Sequence, residues 1–321
     1  DTSENIHQDI ESKMLRLQKQ IKKDKKLINY LKKRPFIAGG YNLKAFLKYK
    51  NIKNLITHLI VGSTGTLMLL TEVELSLPKH KEIKEVYLIY FKDYRSIQKT
   101  LNKLLRLKPL AIEYADKIVL DLWSNKYNHK NALGVLIVCF ETKKNITNLL
   151  INSKYYKHIP KNKIKGLFKS RALALPKLEE KAKKLGYALP SIIDDTSFHP
   201  KDFSKIMTEV DKYALKNNIT ISSFGHIGFG SLHLRPFLNI KKNPRILEKI
   251  SLDIFNILKK YNGTLIGEHN SGPGRSWYLE KESKLMYSYM KKVKKIFDPE
   301  NILNPKAMFN LDPITKNIKY N

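Results

Sequence analysis

Residues 219–237 read Ile219-Thr220-Ile221-Ser222-Ser223-Phe224-Gly225-His226-Ile227-Gly228-Phe229-Gly230-Ser231-Leu232-His233-Leu234-Arg235-Pro236-Phe237. Two strand-like runs, 219–226 and 231–239, flank a glycine-rich centre, which is how a hairpin is written in sequence. The two histidines stand symmetrically about a point between Phe229 and Gly230. A two-residue turn there sets 228 against 231, 227 against 232 and 226 against 233. Directly opposed residues share a face with Cβ atoms about 4.5–5.5 Å apart, so both imidazoles could reach one metal at about 2.0–2.1 Å. The turn type stays open, because Phe229 is strained wherever φ must be positive. The competing reading is two half-exposed histidines on an ordinary hairpin.

Working outward, the pattern is that of an α+β layer, an antiparallel sheet covered by helices. Strands are expected at 86–91, 111–115, 132–140 and 264–268. Helices are expected at 97–105, 166–184, 200–216, 244–260 and 281–296. Asn243–Pro244 opens the helix at 244–260 and Gly263 closes it. Residues 3–33 read as one amphipathic helix, with Ile6, Ile10, Met14, Leu17, Ile21, Ile28 and Leu31 on one face. Leu55–Leu77 reads as strand-rich, broken by a Gly-Ser-Thr-Gly-Thr turn and closed by Pro78. The organisation expected is 1–80, 81–280 and 281–321.

A second cluster, Gly267-Glu268-His269-Asn270-Ser271-Gly272-Pro273-Gly274-Arg275, begins where the strand at 264–268 runs out. Neighbouring strand residues face opposite ways. Glu268 and His269 therefore divide the work: a carboxylate completing a two-histidine site, and an imidazole left to move a proton. The alternative is a solvent loop with a chance Glu-His pair. Arg171 and Arg235 could each hold a substrate carboxylate by paired hydrogen bonds; taken alone, Arg171 reads better as a solvated helix residue. Gly62-Ser63-Thr64-Gly65-Thr66 offers backbone amides to a phosphate or ring edge, or simply a tight turn.

The chain has 321 residues, 42% of them hydrophobic, with 17 Tyr and 13 Phe. That excludes wholesale disorder. The longest apolar run, Ala132–Phe140, is far too short to span a bilayer. A single cysteine, Cys139, excludes an internal disulfide and any cysteine-ligated zinc or iron–sulfur centre within the chain. With no secretory signal at its start, the expected setting is reducing and cytoplasmic, with contact at the inner membrane face as an option. The formal net charge is +31, nearly all of it lysine against only eight arginines. Lys, Ile and Asn rise together, as an AT-rich coding sequence produces without functional demand. Anionic lipid is one partner for such a surface. Nucleic acid is the weaker one, since guanidinium forks are scarce and no recognition module appears.

Taken together, these pieces resemble the FAD-linked oxidases of the vanillyl-alcohol-oxidase/p-cresol-methylhydroxylase (VAO/PCMH) type, in the D-2-hydroxyacid dehydrogenase branch. The resemblance rests on Gly40-Tyr41-Asn42-Leu43, on His58 to Leu67 with Thr71-Glu72, and on Ala111-Ile112-Glu113-Tyr114-Ala115-Asp116. It continues through Asp194-Asp195-Thr196 with Pro200, Gly225 to Pro236, Gly267-Glu268-His269, and Asp298-Pro299 to Phe309. It covers residues 36–309.

The resemblance implies the C-terminal part of an FAD-binding domain plus a ferredoxin-like cap domain for the substrate. It implies FAD-dependent oxidation of D-lactate, glycolate or D-2-hydroxyglutarate to the 2-oxoacid. His226, His233 and Glu268 would hold a divalent zinc, manganese or iron, His269 would be the base, and Arg171, with Arg235 nearby, would meet the substrate carboxylate. Tyr41, Gly62, Ser63, Gly65, Thr66 and Asn304 would lie near the flavin. Thr64, Met68, Phe229, Ser231, Asn270, Ser271, Lys306 and Ala307 depart from the family pattern, more on the flavin side than among the metal ligands. The chain opens near the end of the family's flavin domain, so the remainder is expected on a companion polypeptide, unless the chain is a fragment or processed product. The alternatives carried beside this are a diverged non-catalytic subunit and a basic surface-binding protein.

Overall fold

The computed structural model describes residues 2–35, 39–77, 79, 81–123, 127–144, 146, 155–240 and 244–316. Pro78 and Asn243, expected to close one segment and cap another, lie outside them. The chain forms two compact units: one of residues 1–76 with 264–319, the other of residues 77–263. The sheet-bearing unit ends at Gly263, where the sequence pattern suggested an end near 280; the turn that begins at Thr264 packs with the helical unit.

The first leg of the helical unit is α1 (Thr2–Lys23), α2 (Lys25–Lys33), α3 (Ala45–Lys48) and α4 (Ile52–Ile60). The single helix expected over 3–33 is broken at Asp24. Its carboxylate accepts from the Leu27 amide at 2.9 Å and starts a new helix, the competition with the helical backbone that short acidic side chains offer. Met14, Leu17, Ile21, Leu27 and Leu31 are buried across the break. Asn51 caps α4 by accepting from Lys53 N. Residues 52–60 are therefore helical and 61–77 carry no regular structure, which corrects the strand-rich reading of that stretch.

The second unit contains β1 (Glu85–Phe91), α5 (Tyr94–Arg106), β2 (Ala111–Asp116), α6 (Lys117–Leu120), β3 (Gly134–Phe140), β4 (Tyr155–Ile159), α7 (Lys161–Ala172), α8 (Ala174–Lys184), β5 (Thr196–Ser197), α9 (Phe203–Lys216), β6 (Thr220–Gly225), β7 (Ser231–Phe237) and α10 (Ile246–Lys260). The strands form one sheet in the order β4-β1-β3-β2-β6-β7-β5, antiparallel throughout. Every residue of β3 is buried, because helices cover both faces of the sheet. Val135, Ile137 and Cys139 pack with Trp123, Tyr127, Leu167 and Ala174 on one face. Tyr114, opposite Leu136 in the ladder, meets Phe203 of α9 edge-on at 5.1 Å on the other. Burying each such aliphatic side chain contributes about 1.5–3 kcal/mol. The helix expected at 166–184 is two helices broken at Leu173.

The helical unit resumes at Thr264. No strand forms at 264–268: Thr264 Oγ1 donates to Glu282 and accepts from Ile266 N, folding the segment into a turn. Helices α11 (Gly272–Glu282) and α12 (Lys284–Phe297) follow; the sequence reading missed the first. Arg34 and Glu282 make a buried ion pair at 2.7 Å, and Tyr30 donates to the same carboxylate at 2.7 Å. Among the described residues, no helix is long and apolar enough to cross a membrane.

Candidate functional site

In the sheet unit the site grows from the link between β6 and β7. The ladder sets Phe224 against His233, so the histidines do not face each other across a two-residue turn. Residues 226–230 form the link, with a 3-10 turn at Ile227–Phe229 and Gly230 at φ 78. The positive φ falls on Gly230, not Phe229, and a side chain at Gly230 would collide with the Phe198 carbonyl. The imidazoles still converge. Their ring centroids are 6.3 Å apart at 77°, and one nitrogen from each ring lies within 4.8 Å of the other.

Each ring is oriented by a partner that the sequence reading did not name as part of the site. His226 Nδ1 donates to Glu113 Oε1 at 2.6 Å. His233 Nδ1 donates to the Asp194 carbonyl at 2.6 Å. Oxygen acceptors at both Nδ1 atoms fix the tautomer with the lone pair on Nε2, the usual preparation of a histidine for a metal. A lone Glu in the apolar strand Ala111–Asp116 was the available signal for Glu113, and the Asp194-Asp195 pair before β5 was the signal for Asp194.

Glu113 also receives Arg171 at 2.5 Å, from α7. Burial pushes the Glu113 carboxyl up, but the His226 hydrogen bond and the Arg171 charge outweigh it and hold it below the usual carboxylate range. Arg171 keeps a third of its side chain exposed. Arg235 is buried instead: it donates to Ser191 Oγ at 2.6 Å and lies 3.2 Å from the Asp194 carboxylate.

In the helical unit, Glu268 and His269 are adjacent on an exposed turn, Oε1 to Nε2 at 3.4 Å. Tyr41 is buried and hydrogen-bonds Thr66 Oγ1 at 2.6 Å, and Thr66 in turn donates to the Ser63 carbonyl. Burial raises the Tyr41 phenol well above its usual value. The exposed loop carrying Gly62, Thr64 and Gly65 is tied down from three sides. Asn270 donates to Gly62 O, Asn304 to Thr64 O at 2.7 Å, and Lys294 to Thr66 O at 2.8 Å. Thr64 is held at φ 53, a costly conformation for a β-branched residue.

A family model described as "FAD linked oxidases, C-terminal domain" matches residues 80–308. The chain belongs to the FAD-linked oxidases. Its curated relatives include proteins named for D-2-hydroxyacid oxidation. One is the glycolate oxidase subunit GlcD of Bacillus subtilis, 28% identical over 80% of this chain and 57% of that protein. Another is the D-2-hydroxyglutarate dehydrogenase of Haemophilus influenzae, 24% identical over 95% of this chain and 32% of that protein. The chain thus spans little more than half of one relative and a third of the other. Among solved structures, an alkyldihydroxyacetonephosphate synthase superposes with a TM-score of 0.50 at 16% identity, over 80% of this chain and 50% of that one. This FAD-linked oxidase accordingly shares its fold, mixed helix with antiparallel sheet, with part of that synthase.

The residues of the helical unit fit part of a flavin. Among the described residues, no hydrogen bond engages the Thr64 or Gly65 backbone N–H, and the space a side chain would fill at Gly65 is open to 4 Å. A rigid loop with main-chain donors facing no protein acceptor suits the carbonyl and nitrogen edge of an isoalloxazine ring.

Proposed function

We propose that this chain is the substrate-handling part of an FAD-dependent oxidoreductase that converts a D-2-hydroxyacid to the 2-oxoacid. The observation that carries the reading is the pair of converging imidazoles, each with Nδ1 committed to an oxygen acceptor. His226 and His233 would hold a divalent cation through Nε2, with Glu268 as its third ligand. Two imidazoles and one carboxylate suit zinc, manganese or iron. Bound FAD supplies the two-electron acceptor, and the bound cation supplies Lewis acidity at the substrate hydroxyl.

The protein groups do the rest. Arg171 takes the substrate carboxylate with the exposed part of its guanidinium. Glu113 draws Arg171 and His226 to one carboxylate and fixes both before substrate arrives. Arg235 acts at one remove: it steadies Asp194, whose carbonyl orients His233. His269 would receive the proton of the substrate hydroxyl, the step that this chain's own residues contribute to the two-electron oxidation. Gly62, Ser63, Gly65 and Thr66 line the flavin edge, with Tyr41 and Asn304 bracing that loop.

The test is His226→Ala in the flavin-containing complex, read by metal content and by turnover of D-lactate, glycolate and D-2-hydroxyglutarate. Loss of the metal together with at least a hundredfold fall in turnover is expected. Unchanged metal content and rate would reject the metal role.

A further inference from the structure

Helix α7 carries Arg171 to the site on little packing. Leu167 is its one buried residue, with Ile164 and Phe168 half-buried against the sheet. In the same unit α9 buries four residues and α10 seven. The sequence of α7 adds little to hold it. Five of its side chains are cationic and none is acidic, so Lys161 and Lys163 stand at the positive end of the helix dipole. Pro160 supplies no capping side chain. Gly166 sits mid-helix, and the Ser170 hydroxyl donates to its carbonyl at 3.1 Å. Glycine in a helix interior and a hydroxyl bonded four residues back each weaken the ladder. Lys161 pairs with Glu82 at 2.9 Å, but both side chains are exposed, and such pairs hold little.

The firm positions lie just outside. Ile159 is buried in the ladder against Val86, and Ala174, the first residue of α8, is buried too. The joints between them are not helical: Pro160 is extended, and Leu173 has φ −81 and ψ 0. At its far end α7 is held by charge. Arg171 Nη2 donates to Glu113 at 2.5 Å and lies 3.5 Å from His226 Nδ1. A small cavity there is lined by Glu113, Trp123, Ile137, Arg171 and Ala174, so the helix end is not close-packed on the sheet.

We propose that α7 is a lid on the site, jointed at Pro160 and Leu173 and latched by the Arg171–Glu113 pair, and that a ligand carboxylate on Arg171 holds it shut. Segments with few buried contacts open locally, well short of global unfolding. With the latch broken, Arg171 leaves His226 and the histidines face solvent. A carboxylate that enters meets a guanidinium with donors to spare: Glu113 takes one edge and the ligand another. Reopening then breaks two charge-assisted contacts in place of one. The motion that admits substrate therefore waits on the departure of a carboxylate, which is how lids come to govern product release. Closure by a carboxylate rests on Arg171 as its partner in the proposed reaction; the opening does not.

Amide hydrogen exchange in the flavin-containing enzyme, read by mass spectrometry, tests both halves. Without ligand, amides 165–172 of α7 should exchange at least tenfold faster than amides 207–216 of α9. In Gly166→Ala the new methyl would meet the Tyr127 hydroxyl at 3.4 Å, an ordinary van der Waals contact. That variant should slow α7 about fivefold through helix propensity and leave α9 unchanged. Glu113→Gln, similar in shape but uncharged, should speed α7 at least fivefold, again with α9 unchanged. Oxalate serves as the ligand probe, since it offers a carboxylate beside a second oxygen and has no hydrogen on carbon to give. It should slow α7 at least tenfold; sodium chloride at equal ionic strength should not, and Arg171→Gln should abolish the effect. Equal rates in α7 and α9, no response to Glu113→Gln, no protection by oxalate, or protection that survives Arg171→Gln would overturn it. The ligand-free rates need neither metal nor turnover, so metal retained by His226→Ala would sink the metal reading and leave the lid standing.

Discussion

At the scale of single residues, burial separates charges that matter from charges that do not. Glu282 accepts from Tyr30, Arg34 and Thr264 in a buried setting, whereas Glu180 and Lys184 pair on the surface. Glu282→Ala strands a buried guanidinium and should cost about 3–5 kcal/mol in urea unfolding, while Glu180→Ala should leave the urea midpoint unchanged within error. Asp116, at the end of β2, accepts from Val119 N, Ser223 N and the Ser222 hydroxyl. Burial outweighs those bonds and pushes its carboxyl up to about 6. A carboxyl raised in the folded state is most stabilising when protonated. Relative to Asp116→Asn, the wild-type protein should therefore gain about 2 kcal/mol of stability as pH falls from about 6 to about 4, and lose it again as pH rises through 6. Paired denaturation curves at those pH values check the sign. The sequence made His226, His233 and the Glu-His pair stand out, because glycines isolate them. Glu113 and Asp194 were harder to see: a single carboxylate in a strand, or a main-chain carbonyl, acquires its role only when the ladder brings it to a histidine.

At the scale of elements, the strands of the sheet were legible where both faces are buried. The run Gly134–Phe140 is apolar throughout and has no other reading. β4 was missed because four of its five residues are exposed, so it shows no core pattern. The hairpin was seen but its register was not. Gly225, at φ 144, and Gly230, at φ 78, make room for a longer link with its own 3-10 turn, which composition alone does not distinguish from a two-residue turn. Gly230→Ala should therefore destabilise the protein by more than about 1 kcal/mol and displace His226 from Glu113, visible as a lower melting temperature together with altered imidazole nitrogen shifts. The break at Asp24 was invisible to periodicity because the apolar stripe runs straight across it. Asp24→Ala should cost about 1 kcal/mol through the lost cap.

At the scale of the whole molecule, the α+β class was readable, whereas the path of the chain was not. Periodicity reports which residues are buried, not which distant segment buries them. Residues 77–263 form one unit from a single stretch, while residues 1–76 share theirs with 264–319. Expressed alone, 77–263 should fold cooperatively with the seven-stranded sheet intact, and 1–76 alone should not, which circular dichroism during thermal unfolding decides. The same path has a consequence during synthesis. At about 5–20 residues per second, the nascent α1, with Met14, Leu17 and Ile21 uncovered, waits roughly 15–55 s for its partner helix α12 to be made. The sheet unit can mature during that interval. Helices α1 and α2, exposed until α12 is made, are then the natural client of a chaperone.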